Sequence, residues 1–248
     1  MVTIMAKKEF VLQLGCKKIA IMQPTFIPWI GYFALINYVD EFIVLDSVQF
    51  DSRSWQQRNK ILLNNSESLI TIPVQKKGLF NQKINEVKIV DESQKHLKKI
   101  YKTIEFAYAR SLFFSNYKDE FENIFFSETK KLSKFNFKII EWICKKLNIH
   151  TAFAFSSDLN LSGAKDQLLV NICSKTNANV YISPVGSKVY LKHGEIFKDN
   201  NIDLKYFQYI HPIYSQLSNS FIPYLSSIDI LFNKGPDALK IIKSGVVN

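Results

Sequence analysis

The chain has 248 residues, a formal net charge of +10, and is 47% hydrophobic and 14% aromatic. That supports a sizeable core in one large unit or two small ones, and no apolar run reaches the ~18 residues of a membrane-spanning helix. Three widely spaced cysteines and four scattered histidines, with no H-x-x-x-H or C-x-x-C pair, argue against a disulfide framework and a structural zinc, so no metal is expected.

The opening MVTIMAKKEFVLQLGC has too short an apolar stretch for a signal peptide, with Lys7, Lys8 and Glu9 beside it. Residues 1–16 are therefore expected to form a loose extension and the protein to be cytoplasmic. KKIAIM predicts a first strand near 19–22. Gln23-Pro24 interrupts it, and Pro28, Trp29 and Gly31 follow before the helical GYFALINYV. EFIVLDSVQF is a continuous apolar run, the pattern of a strand covered on both faces, here near 42–46. SLITIPVQ and INEVKIV predict further strands, the second near an edge because charges interrupt it.

From about His96 to Leu147 the pattern is helical, with Leu132, Phe135, Ile139, Ile143 and Leu147 at spacings of three and four. SSDLNLSGAKDQLLVNICSKT gives a short extended piece, a turn at Gly163 and a helix from about Lys165. NVYISP is a buried strand near 179–183, KYFQYIHPIYSQ is extended, and SSIDILFNKGPDALKIIKSG ends in one or two helices. Strand, helix and buried strand in that order predict a βαβ unit. The fold class expected is α/β: a mostly parallel sheet with helices on both faces, as one domain over 17–248 with a helical segment at about 96–150.

Ligands of open α/β sheets bind at the carboxyl ends of strands. The first strand leads into Gln23, Pro24 and Trp29. The second leads into Asp46, Gln49, Arg53, Arg58, Asn59 and Lys60, and the late strand into Ser183, Gly186 and Ser187. Three polar connections at one edge predict a site. Trp29 suits a pocket wall or a core plug, and Asp46 a base or a turn cap. The chain has only three arginines, and Arg53 and Arg58 fall within six residues. That spacing suggests a need for the forked guanidinium that matches phosphate or carboxylate. His211, near Tyr209, Tyr214 and Gln216, is the best general acid or base. Asp229 and Asn233 lie four apart on one helix face and either return to the site or serve as a helix-start pair. Lys76 to Lys102 holds eight lysines against three acids. The run lacks interleaved aromatics, so a solvated face is favoured over nucleic-acid binding.

AIMQPTFIPWIGYF, FIVLDSVQFDSRSWQQRNKI, YISPVGSKVYL, HPIYSQ and LSSIDILFNKG together resemble the WbqC-like family over roughly residues 17 to 236. Gln57-Arg58-Asn59 stands where that family more often has Asn-Arg-Asn. The resemblance implies a place in gene neighbourhoods for O-antigen and other surface polysaccharides, especially those making nucleotide-linked amino sugars. A second resemblance covers about 35 residues from the first strand. It is similar to pantoate–β-alanine ligases and their nucleotidyltransferase relatives, which implies a nucleotidyltransferase-like, Rossmann-type core. Their H-x-G-H is matched by Trp29, Ile30, Gly31 and Tyr32, so the glycine that lets a helix end approach phosphate is kept and the histidines are not.

The function expected is modification of a nucleotide-linked amino sugar, by N-acyl or aminoacyl transfer to its amine, in polysaccharide biosynthesis. His211 or Asp46 would be the base. Gln23, Trp29, Tyr32, Gln49, Arg53, Arg58, Asn59, Lys60, Ser187, Tyr214, Gln216, Asp229 and Asn233 would hold substrate. ATP and an acyl donor such as acyl-coenzyme A both stay open as cofactors, and a homodimer is allowed. The alternative is a non-catalytic nucleotide- or sugar-binding protein on the same scaffold.

Overall fold

The computed structural model describes residues 16–90, 93–189, 191 and 194–247, so the expectation for residues 1–15 lies outside it. The short apolar run of β1 (Lys18–Met22) is paired on both edges, parallel to β2 (Glu41–Val44) and to β6 (Val180–Pro184). Outward on one side, β2 pairs with β5 (Ala152–Phe155). On the other, β6 pairs with β7 (Asp203–Tyr209). All of these pairings are parallel, and the two-residue β8 (Val246–Val247) closes the edge antiparallel to β7. The sheet order is β5-β2-β1-β6-β7-β8.

The pleat divides β1 between two cores, as successive side chains of a strand must. Ile19 and Ile21 pack with Ile43 against α5 (Lys165–Lys175) and α6 (Glu195–Asp199). Ala20 faces the opposite, larger core with Phe42 and Val44. There lie α1 (Ile30–Tyr38), α2 (Ser93–Tyr108), α3 (Phe114–Phe125), α4 (Leu132–Lys146), α7 (Ile228–Lys234) and α8 (Ala238–Ser244). The doubly covered parallel sheet is thus as expected, and helix α1 is buried nearly all round.

Three expectations change. SLITIPVQ does hold a strand, β4 (Ser66–Thr71), but it pairs antiparallel with β3 (Arg58–Leu63), so Arg58, Asn59 and Lys60 lie in a separate ribbon before α2 to α4 and not in a loop at the sheet edge. INEVKIV is not a strand: Ile84–Glu86 is one turn of 3-10 helix, and Ile89 makes a single bridge to Val74. The piece at 156–159 is likewise a 3-10 turn, and the extended segment is the preceding AFAF, which forms β5.

Candidate functional site

The connection from β1 to α1 is stiff because nearly every carbonyl in it is held. The Tyr32 hydroxyl donates to Gln23 O, Asn136 Nδ2 to Pro24 O at 3.0 Å, and the Ser227 amide to Pro28 O at 2.9 Å. Asn59 Nδ2 donates to both Phe26 O at 2.9 Å and Ile27 O at 2.7 Å. Two prolines remove amides that would otherwise need acceptors. This clamp holds Ile27 at φ 41°, a left-handed conformation that a β-branched residue rarely adopts. Phe26 and Ile27 are fully buried, so the loop plugs the core from one side and offers its rim on the other.

That rim borders a crevice. β1 and β6 are neighbours in the sheet, yet β1 leads to helix α1 on one face and β6 to helix α6 on the other. Their carboxyl ends are therefore a switch point, where such sheets bind ligands. A cavity of about 650 Å³ opens there, floored by Ile21, Met22 and Leu169 and edged by Gln23, Ser183 and Ser187. This volume suits a small-molecule ligand. Gln56 Nε2 donates to Gln23 Oε1 at 2.8 Å, leaving the Gln23 amide NH2 free to donate. Ser183 Oγ donates to the Tyr181 hydroxyl at 3.2 Å and lies 2.7 Å from Ser187 Oγ. Burial keeps the Tyr181 phenol protonated, so its own proton remains a donor toward the cavity it lines. Lys165 and Asp166, at the first turn of α5, bring one charge of each sign to the same wall.

On the far side of Pro184–Gly186 lies a second cavity of about 220 Å³, lined by Trp29, Gly31, Tyr32 and Tyr209 among others. Here Gly31 has a purpose unlike the one its motif suggested. A Cβ at Gly31 would lie 2.2 Å from the Trp29 ring, so the missing side chain makes room for the indole and not for a phosphate.

Behind Trp29 stands His211, just beyond β7. Its ring stacks between Trp29 (centroids 6.1 Å, planes 20° apart) and Tyr214 (6.2 Å, 21°), with Tyr224 and Phe221 closing the sides. Nδ1 lies 2.9 Å from Pro212 O and must carry the proton that bonds it, which leaves a lone pair on Nε2. That nitrogen is enclosed and has no partner. Burial lowers the His211 pKa, so the ring is neutral. Next to it Asp229 is fully buried, and its Oδ2 accepts from the Tyr214 hydroxyl at 2.8 Å and Gln216 Nε2 at 2.9 Å. Asn233 Nδ2 bonds the Asp229 carbonyl, within helix α7.

The structure thus brings Gln23, Ser183, Gly186 and Ser187 to one crevice and Trp29, Gly31 and Tyr32 to the cavity beside it. His211, Tyr214, Gln216 and Asp229 form an enclosed cluster beyond Trp29. The residues after β2 go elsewhere, because the chain leaves the sheet to build the ribbon. Asp46 is fully buried with both oxygens engaged: Oδ1 accepts from the Ser157 amide at 3.1 Å and Ser156 Oγ at 3.3 Å, and Oδ2 from Ser157 Oγ at 3.1 Å. It caps the 3-10 turn after β5 and does not line the crevice. Asn59 is the clamp already described, and Lys60 pairs with Glu67 at 2.7 Å across the ribbon. Gln49 donates to Phe80 O, Arg53 is exposed, and Arg58 begins β3 with its guanidinium 5.9 Å from the Trp55 ring. None of these six lines the crevice.

Sequence reasoning missed Tyr181, Lys165, Asp166 and Gln56. Lys165 carried a signal, since it opens a helix two residues after the Gly163 turn. Tyr181 carried none, because inside an apolar strand it looks like any core aromatic. Among the described residues, no group of three or more His, Cys, Asp or Glu side chains is placed to hold a metal.

A family model described as the WbqC-like protein family matches residues 23–241. "Uncharacterized protein Rv1507c" of Mycobacterium tuberculosis is 37% identical over 226 residues, which cover 90% of this chain and 96% of that one. No solved structure matches the chain.

Proposed function

The chain belongs to the WbqC-like protein family, and from that premise we propose that it binds a nucleotide-linked amino sugar in the crevice between β1 and β6 and transfers an acyl or aminoacyl group to the sugar amine, in the assembly of surface polysaccharides. The observation that carries this reading is the 650 Å³ cavity at the switch point, with donors from Gln23 and Tyr181 and the hydroxyl oxygens of Ser183 and Ser187, whose protons go to Tyr181 and to Pro184 O, around an apolar floor. An amide bond forms as the amine attacks the acyl carbonyl, the donor's leaving group departs, and one amine proton passes to a base. Of the two candidate bases, His211 keeps an unengaged acceptor nitrogen and Asp46 does not. His211 lines neither cavity, so this reading requires its aromatic enclosure to open when the sugar binds.

A second reading, a binder without chemistry, is favoured by the same enclosure of His211 Nε2. A blocking substitution at Gly186 tests the shared site, and a mass gain on the sugar separates the two. A Cβ at Gly186 meets nothing within 4 Å and the residue lines the cavity, so Gly186→Phe places a bulky ring at its wall. Native and variant chains are titrated with uridine- and thymidine-linked amino sugars, then incubated with acyl-coenzyme A, or with ATP and a carboxylic or amino acid, and the sugars weighed by mass spectrometry. Saturable binding that Gly186→Phe abolishes, with a mass gain equal to the acyl group, is the expected result. Binding without a mass gain selects the second reading. If no sugar nucleotide binds, both readings fall.

A further inference from the structure

Away from the crevice, two loops stand side by side. Lys76 to Leu79 make a tight turn closed by a hydrogen bond from the Leu79 amide to Lys76 O at 3.0 Å. Gly78, at φ 75°, takes the third position of that turn, where a type II geometry requires a left-handed residue. The turn is braced, since Gln82 Nε2 donates to Gln75 O and Gln49 Nε2 to Phe80 O. Lys76 Nζ reaches Ser52 Oγ and so ties the turn to the neighbouring loop, which carries Trp55. The tips are apolar: Phe80 is 84% exposed, Trp55 49% and Leu79 47%. Around them stand Arg53, Arg58, Lys76, Lys77 and Lys83, none of them ion-paired among the described residues. Over 49–58 and 75–83 the sole acid is Asp51.

We propose that these loops dock the protein onto the surface of an anionic lipid bilayer, with Phe80, Leu79 and Trp55 entering the headgroup layer and the five cations lying against lipid phosphates. The occupant follows from the shape of the patch. A stable protein interface needs roughly 800 Å² of closely packed surface on each side. Three projecting tips ringed by long basic side chains present no such face. They need only depth, which a bilayer supplies, and long basic side chains reach its phosphates while their stems stay with the apolar layer. The Gln56 side chain, between Trp55 and the ribbon, bonds Gln23 at the crevice, so docking would bring the crevice close to the membrane surface. The proposal does not depend on the reaction assigned above.

The test is co-sedimentation of the full chain with phosphatidylcholine vesicles, with and without phosphatidylglycerol, at low and high salt, with tryptophan fluorescence recorded in parallel. Binding is expected only to the anionic vesicles, weakened by salt, and accompanied by a blue shift that Trp55→Phe removes. Phe80→Ser is expected to weaken binding by about tenfold or more, the loss that corresponds to exposing an aromatic side chain. Lys77→Ala should cost about fivefold, since one cation beside an anionic surface contributes about 1 kcal/mol. Leu112→Ser, an exposed apolar residue elsewhere, is the control and should change nothing. Failure to bind any vesicle, or binding that Phe80→Ser leaves intact, overturns the proposal. Loss of vesicle binding beside salt-sensitive capture of a purified acidic protein would move the surface to a protein partner.

Discussion

Asp229 has no solvent exposure, and its carboxylate is surrounded by Tyr214, Gln216 and the buried Tyr108 hydroxyl. Burial raises its pKa above the ordinary 3.8, against the bonds from Tyr214, Gln216 and Tyr108 that pull it down. The linkage has a definite sign. Below 3.8 the group is protonated both folded and unfolded, and its contribution is complete. As pH climbs through the raised folded value, the folded chain must hold a buried charge, and that contribution is lost. Asp229→Asn keeps the shape and the acceptor oxygen while removing the charge. The variant is expected to show a flatter dependence of its urea midpoint on pH from 3.8 towards neutrality, and to be at least as stable as the native chain near neutral pH. A slope equal to the native one would assign the dependence to another group. Tyr214 and Gln216 were legible in the sequence as polar company for His211, and Asp229 only as a helix residue paired with Asn233. Their mutual closure was not, because a period-3.6 pattern shows which side chains share a face and not which of them saturate one another.

At the scale of elements, the connection between β1 and α1 shows how adjacent residues of like polarity separate in role. Asn59 and Lys60 both follow the second strand, and on the sequence alone both suit a ligand. In the ribbon they point apart, as neighbours in a strand must. Asn59 turns inward to hold two loop carbonyls, and Lys60 turns outward to Glu67. Asn59→Ala is expected to lower stability by about 1–3 kcal/mol for each carbonyl left without a partner. Lys60→Ala should cost under about 1 kcal/mol, as exposed ion pairs do. Urea denaturation of the two variants checks the contrast, and equal losses would refute the clamp. The ribbon also explains why the polar run after the second strand does not line the crevice. A strand end predicts a site only where the chain stays beside the sheet, and nothing local in DSRSWQQRNK announces that it leaves. Strand β5 escaped for a related reason, since four residues are too few for a period to register.

The whole molecule is organised by β1, whose alternate residues belong to different cores. Ile19 and Ile21 serve one, Ala20 the other, and no cut through the sheet frees either core from that strand. The two should therefore unfold together. Far-ultraviolet circular dichroism and tryptophan fluorescence are expected to report coincident urea transitions. Trp29 and Trp142 both pack with the larger core, so a fluorescence transition displaced from the dichroism one would show that the cores separate. The parallel sheet itself was readable from continuous apolar runs in βαβ order. The order of its strands was not, because the pairing of β1 with β6 joins residues that no short-range pattern connects.

That pairing has a consequence for how the protein is made. Lys18 meets Val180, so one edge of β1 waits for its partner while the intervening residues are synthesised. At roughly 5–20 residues per second, the delay is on the order of ten to thirty seconds. Throughout it an apolar strand stands with unpaired amides and carbonyls on that side, the template on which chains add to one another. The nascent chain therefore passes through a long sticky interval before its centre can close. Its yield in the cell should depend on shielding of that edge during translation more than on the final stability of the fold.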